Sequence, residues 1–283
     1  MVGSQKPSVP VTLNYGHPLA DLLIGCFVIN DGGGPIRDLV TGNVLAYNGV
    51  GARAFTRIGE SLDCSGGNDA GAAATSWSRL RSPYNGNKLS ILWRGLIQSA
   101  PSAFAMLAGV TFTNADTTPF QAYTIERDTT AAKYRLSWNS GGTANSLEAS
   151  PVSAWDGTER QIVGTIRGGS VGSACKLMEG PNAVVIGSST ANSGPNYNAN
   201  SRVGIGVYQA ASGRNSKSIA QHVYFWNRNL EQAEAQQLYV EPYAFLRPLR
   251  KYHFTTAVAP ATAVFRRTLS EFGARTGARQ VMA

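Results

Sequence analysis

Three cysteines, three histidines and 15% charged residues in 283 positions leave several chemistries without material. Cys26, Cys64 and Cys175 are odd in number and far apart, so disulfides are not expected to frame the fold. No Cys-x-x-Cys or Cys/His spacing builds a zinc knot, and His17, His222 and His253 include no pair at helical i, i+4 spacing. No apolar run approaches the roughly 18 residues of a spanning helix, so no membrane partner is expected. The first residues, MVGSQKPSVPVTLN, lack the charged-then-apolar order of a signal peptide, and no Asn-x-Ser/Thr acceptor occurs. Synthesis in a reducing cytoplasm without export is therefore expected. The absence of an internal repeat argues against solenoids and propellers.

What is present is turn chemistry and alternation. Thirty-one glycines and 13 prolines are scattered between short apolar runs, with 43% hydrophobic residues to fill a core. Residues 22–30 (LLIGCFVIN) read as a strand closed by Asp31 and three glycines. Residues 88–98, 103–112, 120–127 and 133–138 continue the pattern. In residues 160–167 (RQIVGTIR), Ile162, Gly164 and Ile166 share one face, with Val163 and Thr165 opposite. Residues 174–178 and 183–186 flank a hairpin-like turn at Glu179-Gly-Pro-Asn. About a dozen such strands predict an all-β, antiparallel two-sheet jelly-roll sandwich. The last strand, residues 219–226, gives way to one short helix. Asn229 is its expected N-cap, Glu231 lies in its first turn, Leu230, Ala233 and Leu238 form its apolar face, and Pro242 ends it.

Three segments follow. Residues 1–18 read as an N-terminal arm, residues 19–248 as the sandwich and residues 249–283 as a basic, extended C-terminal tail. From Ala244 onward, Arg247, Arg250, Lys251, Arg266, Arg267, Arg275 and Arg279 face Glu271 alone, net +6 of the chain's +8. The body is close to neutral, so specific nucleic-acid binding is not expected. The tail reads as an attachment element, with Phe265, Arg266, Arg267, Leu269, Phe272, Arg275 and Arg279 as its docking residues.

The order of features resembles the laminin-G-like domains of the concanavalin A-like class found in bacteriophage and bacterial surface proteins. The resemblance rests on residues 17–20 (HPLA), 23–34 (LIGCFVINDGGG), Asp38, 62–66 (LDCSG), 89–93 (LSILW), Trp155 with the strand after it, 176–180 (KLMEG) and 203–206 (VGIG). It covers roughly residues 17–248. The ending YAFLRP at 243–248 is similar to phage versions of the module. The resemblance implies a virion structural or decoration protein, displaying the sandwich on a capsid or tail through other virion proteins. Binding of a host or environmental glycan is the alternative, and homo-oligomerisation is left open.

Glucanases of this architecture use Glu-x-Asp-x-x-Glu on one strand, and no such string occurs here. Glu60 and Asp63, the nearest pair, have a spacing that sends them to opposite faces. Residues 168–172 (GGSVG) spell a nucleophile elbow, but a strand follows where the elbow needs a helix. A chain without enzymatic activity is therefore expected. No cofactor is expected either, with one alternative: relatives hold calcium in their loops, and Asp38, Asp63, Asn68 and Asp69 are the oxygen donors that would supply such a site. For a glycan, Trp138, Tyr197 and Tyr208 lie beside polar loops and are the expected exposed rings. Trp93 and Trp226 lie within strands and are expected in the core.

Overall fold

The computed structural model describes residues 6–7, 10–30, 34–47, 52–56, 59–64, 72–75, 80, 88–98, 105–111, 121–128, 133–140, 143–152, 157–168, 175–189, 195, 201–206 and 216–248. By contacts the chain divides into Met1–Pro248 and Leu249–Ala283. The docking residues expected at Phe265 to Arg279 lie outside the described residues. Among those that are described, no helix is long and apolar enough to cross a membrane.

Strands are numbered in chain order. The first large sheet runs β12 (Thr143–Ala149), β11 (Tyr134–Ser140), β10 (Gln121–Arg127), β9 (Ala105–Thr111), β16 (Arg202–Ile205), β7 (Ala72–Thr75), β4 (Val44–Tyr47) and β3 (Ile36–Arg37). The second runs β15 (Val184–Ser189), β14 (Cys175–Glu179), β13 (Glu159–Arg167), β8 (Lys88–Ile97), β17 (Ser218–Trp226), β6 (Gly59–Asp63) and β5 (Ala52–Thr56), with β2 (Leu23–Val28) also paired to β17. The pairings are antiparallel, and the chain is an all-β two-sheet sandwich.

Alternation decides which side chains fill the space between the sheets. Leu89, Ile91, Trp93 and Ile97 of β8 and Ile162 and Ile166 of β13 point inward together. Gly164 takes its inward position without a side chain because Leu136 and Ile125 of the opposite sheet fill that space. Burying each large apolar side chain contributes about 1.5–3 kcal/mol. Cys26, Cys64 and Cys175 are buried free thiols packed as small hydrophobes.

A second core lies on the other face of the second sheet. Leu92, Val163, Tyr224 and Trp226 are covered there by α1 (Gln232–Val240) and by Phe245. The Trp226 ring N–H donates to the Leu19 carbonyl at 2.8 Å, and the Tyr224 hydroxyl to the Pro242 carbonyl at 3.0 Å. The helix starts later than the sequence implies. Ser90 Oγ donates to the Arg228 carbonyl at 2.7 Å and accepts from the Leu230 amide at 2.9 Å, pinning residues 228–230 to β8. Glu231 is therefore the N-cap, in a capping box with Glu234, rather than Asn229. Ala235 and Leu238 are buried, while Ala233 is exposed.

The N-terminal segment is less of an arm than its composition implies. β1 (Val11–Leu13) pairs with β18 (Leu246–Pro248), Leu13 is buried, and Lys6 donates its ammonium to the Ile29 carbonyl at 2.9 Å.

His222 gives the body a titration signature. It is fully buried on β17, its ring stacked on Tyr224 at 4.8 Å and edge-on to Tyr243 at 5.5 Å. Its Nδ1 lies 3.5 Å from the Tyr243 hydroxyl, and Nε2 has no hydrogen-bond partner among the described residues. Burial, then the charges of Arg94 and Lys6, hold its pKa well below the ordinary value. The folded chain thus refuses a proton that the unfolded chain accepts below about pH 6.5. His222 favours the fold fully above that pH and progressively less as pH falls below it. Urea midpoints at about pH 7.5 and about pH 5.5 are expected to differ more in the native chain than in His222→Phe. Equal pH sensitivity in the two proteins would show that the imidazole titrates normally.

Candidate functional site

Where β13, β14 and β15 meet the connection between β12 and β13, the sandwich opens into a groove of about 290 Å³. Its lining includes Val152, Thr158, Glu159, Arg160, Glu179 and the turn Gly180 to Asn182. Inward parity places Arg160 and Glu179 here: Arg160 shares the face of Ile162, and Glu179 shares the face of Leu177.

Glu179 is 1% exposed. Its Oε1 accepts from Arg160 Nη1 at 3.0 Å and from the Tyr134 hydroxyl at 3.1 Å. Its Oε2 accepts from the Val152 amide at 2.6 Å. One carboxylate thereby ties both sheets and the connecting segment together. Beside it, Glu159 pairs with Arg94, which also donates to the Tyr239 carbonyl at 2.8 Å and lies 4.7 Å from that ring's centre.

The turn on the groove's edge is held from two sides. The Gly180 backbone amide donates to the Gln161 carbonyl at 3.0 Å, and the side-chain Nε2 groups of Gln232 and Gln236 on α1 donate to the Asn182 carbonyl at 3.3 and 2.8 Å. Gly180 adopts φ +77°, a conformation glycine reaches without strain. At the rim, Val152 is 61% and Val184 43% exposed, and Pro181 is exposed beside them. A groove with an apolar rim and a fixed polar floor suits a ligand with one apolar face and several hydrogen-bonding groups.

The sequence-based candidates fare unevenly. Asp38 is buried, and its carboxylate is occupied by its own neighbourhood: Oδ1 accepts from the Cys26 amide at 2.7 Å and the Val40 amide at 3.1 Å, and Oδ2 from the Thr41 amide and hydroxyl at 3.2 and 2.7 Å. Burial raises its pKa, against the pull of those four bonds. These oxygens stabilise a turn and its junction with β2. Asp63 is half-buried at the end of β6, and Asn68 and Asp69 lie outside the described residues. Among the described residues, no three His, Cys, Asp or Glu side chains gather as a metal site.

Trp138 corrects the expectation of an exposed ring, being 3% exposed within the inter-sheet core. It shares the inward parity of Tyr134 and Leu136. Tyr197 and Tyr208 lie outside the described residues, as does Ser170. Trp93 and Trp226 are fully buried. The groove itself was not anticipated. Its signal in the sequence is a charge at an inward position, Arg160 two places before Ile162 and Glu179 two places after Leu177.

No protein-family model matches the chain, and no curated protein matches its sequence. Solved structures do match in fold. The Trypanosoma rangeli sialidase in complex with sialic acid superposes with a TM-score of 0.56 at 14% identity, covering 80% of this chain and 34% of that one. The binding domain of Paraclostridial Mosquitocidal Protein 1 gives 0.59 at 13% identity, over 80% of this chain and 53% of that one. The botulinum neurotoxin serotype G binding domain gives 0.56 at 9% identity, over 78% and 51%. The chain thus spans about a third of the sialidase and about half of each toxin domain. At such identities the likeness is one of fold, an all-β sandwich. It also corrects the expectation of a chain without enzymatic activity. The neighbours include enzymes that act on glycosides, so a missing glucanase motif does not exclude catalysis.

Proposed function

We propose that the sandwich recognises glycans and that the groove beside Glu179 is its binding site. The observation that carries this reading is the pairing of an exposed Val152, Pro181 and Val184 rim with the fixed polar floor of Glu159, Arg160 and Glu179. A sugar ring offers a matching pair of surfaces, C–H groups on one side and hydroxyls around its edge. Neighbours that include a sialidase bound to sialic acid and two toxin binding domains support the reading.

The test is binding of the full chain to an immobilised glycan panel. Val152→Arg and Val184→Arg place a large side chain at exposed positions, where the fold tolerates it. Binding to the preferred glycan is expected to be lost in both while the urea midpoint stays near that of the native chain. Undiminished binding in both variants, or no binding by the native chain, defeats the proposal. Free sugar is measured in the same reactions, because its release would show that hydrolysis accompanies recognition.

The basic end of the chain, net +6 from Ala244 onward, supports a reading about delivery. In it the chain is a virion component, anchored to capsid or tail proteins by residues 249–283, with the laminin-G-like sandwich turned outward. Deleting residues 255–283 is then expected to abolish incorporation into particles while the sandwich still folds. Incorporation of the truncated chain at native levels would place the anchor elsewhere.

A further inference from the structure

Resting on the glycan reading, we infer that the groove selects uncharged sugars and discriminates against sugars that carry a carboxylate. The argument is one of charge already spent. Arg160 and Glu179 lie 3.0 Å apart, with side chains 7% and 1% exposed. Glu179 accepts three hydrogen bonds, so its charge is compensated where it stands. Arg94, the other cation nearby, is paired with Glu159 and further held by the carbonyl and ring of Tyr239. Each arginine is committed to a carboxylate of the protein.

A ligand carboxylate entering this groove meets Glu159 and Glu179 with no uncommitted cation supplied by either arginine. To recruit Arg160 it must draw the guanidinium off Glu179, leaving a buried carboxylate with reduced compensation. To recruit Arg94 it must do the same to Glu159 and disrupt the contact with Tyr239. A neutral pyranose makes no such demand. Its apolar face lies on Val152, Pro181 and Val184, and its hydroxyls exchange hydrogen bonds with polar groups of the lining without disturbing either ion pair.

The experiment compares matched ligands on the full chain: galactose-terminated oligosaccharides, and the same oligosaccharides capped with sialic acid. Both sets are immobilised at equal density and measured at physiological salt. The neutral member is expected to bind at least ~10-fold more tightly, as like charges at close range oppose association. In Glu159→Gln, which removes one facing charge and releases Arg94 from its partner, that ratio is expected to shrink. Equal or tighter binding of the sialylated member overturns the charge argument and leaves glycan recognition standing. Failure of both members, and of every other glycan on the panel, overturns glycan recognition itself. An unchanged ratio in Glu159→Gln would show that this carboxylate does not face the ligand, against the inference.

Discussion

Glu179→Ala is expected to lower the unfolding free energy by about 3–5 kcal/mol, the cost of leaving one member of a buried ion pair without its partner. The loss falls on three groups at once. Arg160 keeps its charge in a site where its side chain is 7% exposed, the Tyr134 hydroxyl loses an acceptor inside the sandwich, and the Val152 amide loses its tie to β14. Arg160→Met is expected to be destabilising for the converse reason, though less so, since Tyr134 and Val152 still donate to the carboxylate. The double variant Arg160→Met, Glu179→Leu removes both charges and fills the space with apolar side chains. It is expected to recover much of the loss, because replacing a buried pair with packed hydrophobes is often neutral or stabilising. Urea unfolding of the native chain, Arg160→Met, Glu179→Leu and the double variant at neutral pH forms a double-mutant cycle, with Glu179→Ala measured beside it. A cost below about 1 kcal/mol for Glu179→Ala, the range of exposed pairs, would show that water reaches the carboxylate. The experiment also bears on function, since the Val152 tie holds the segment that supplies the groove's rim.

The two sheets were legible because burial imposes a period of two. Residues 88–97 carry Leu89, Ile91, Trp93 and Ile97 at alternate positions, and the structure turns all four inward. The same rule applied to residues 134–138 places Trp138 with Tyr134 and Leu136. Asn139 to Gly142 carry loop chemistry directly after the ring, whereas strand parity determines where it goes. Asp38 could not be settled from sequence. An aspartate before a small-residue loop suits both a cation and a turn, and the deciding donor, the Cys26 amide, arrives from a strand 12 residues earlier. The helix cap moved for a similar reason, because Ser90 is 140 residues from the amide it fixes. The groove needs β13 and β14 paired in one sheet with β11 facing them from the other, and nothing local to Tyr134, Arg160 or Glu179 announces the other two. The expectation of no catalysis failed because it was an inference from absence. One missing motif speaks to one family of enzymes, and the sandwich is shared with others.

Gly95→Ala is expected to damage the fold severely, by about 3 kcal/mol or more, at the upper end of the cost of overpacking a core. Gly95 sits in β8, between β13 and β17. A Cβ built there would lie 2.1 Å from the Ile219 carbonyl oxygen and 2.7 Å from Trp93 Cζ2. The first contact is with backbone, so no rotamer change relieves it. Two central strands must move apart, and their ladder carries the irregularity between Ala220 and His222. Gly164→Ala meets only the ends of Leu136 and Ile125, which can shift, and is expected to cost less. Gly157→Ala separates packing from backbone conformation. Its φ of +75° is unfavourable for alanine, but no described residue lies within 4 Å of the new methyl, so a cost of about 1–2 kcal/mol is expected. Thermal and urea midpoints should rank the variants in that sense, with Gly95→Ala the worst or recovered only as aggregate. A Gly95→Ala protein within about 1 kcal/mol of the native chain, an ordinary single-substitution effect, would mean that β8 and β17 pack less closely than the 2.1 Å contact requires.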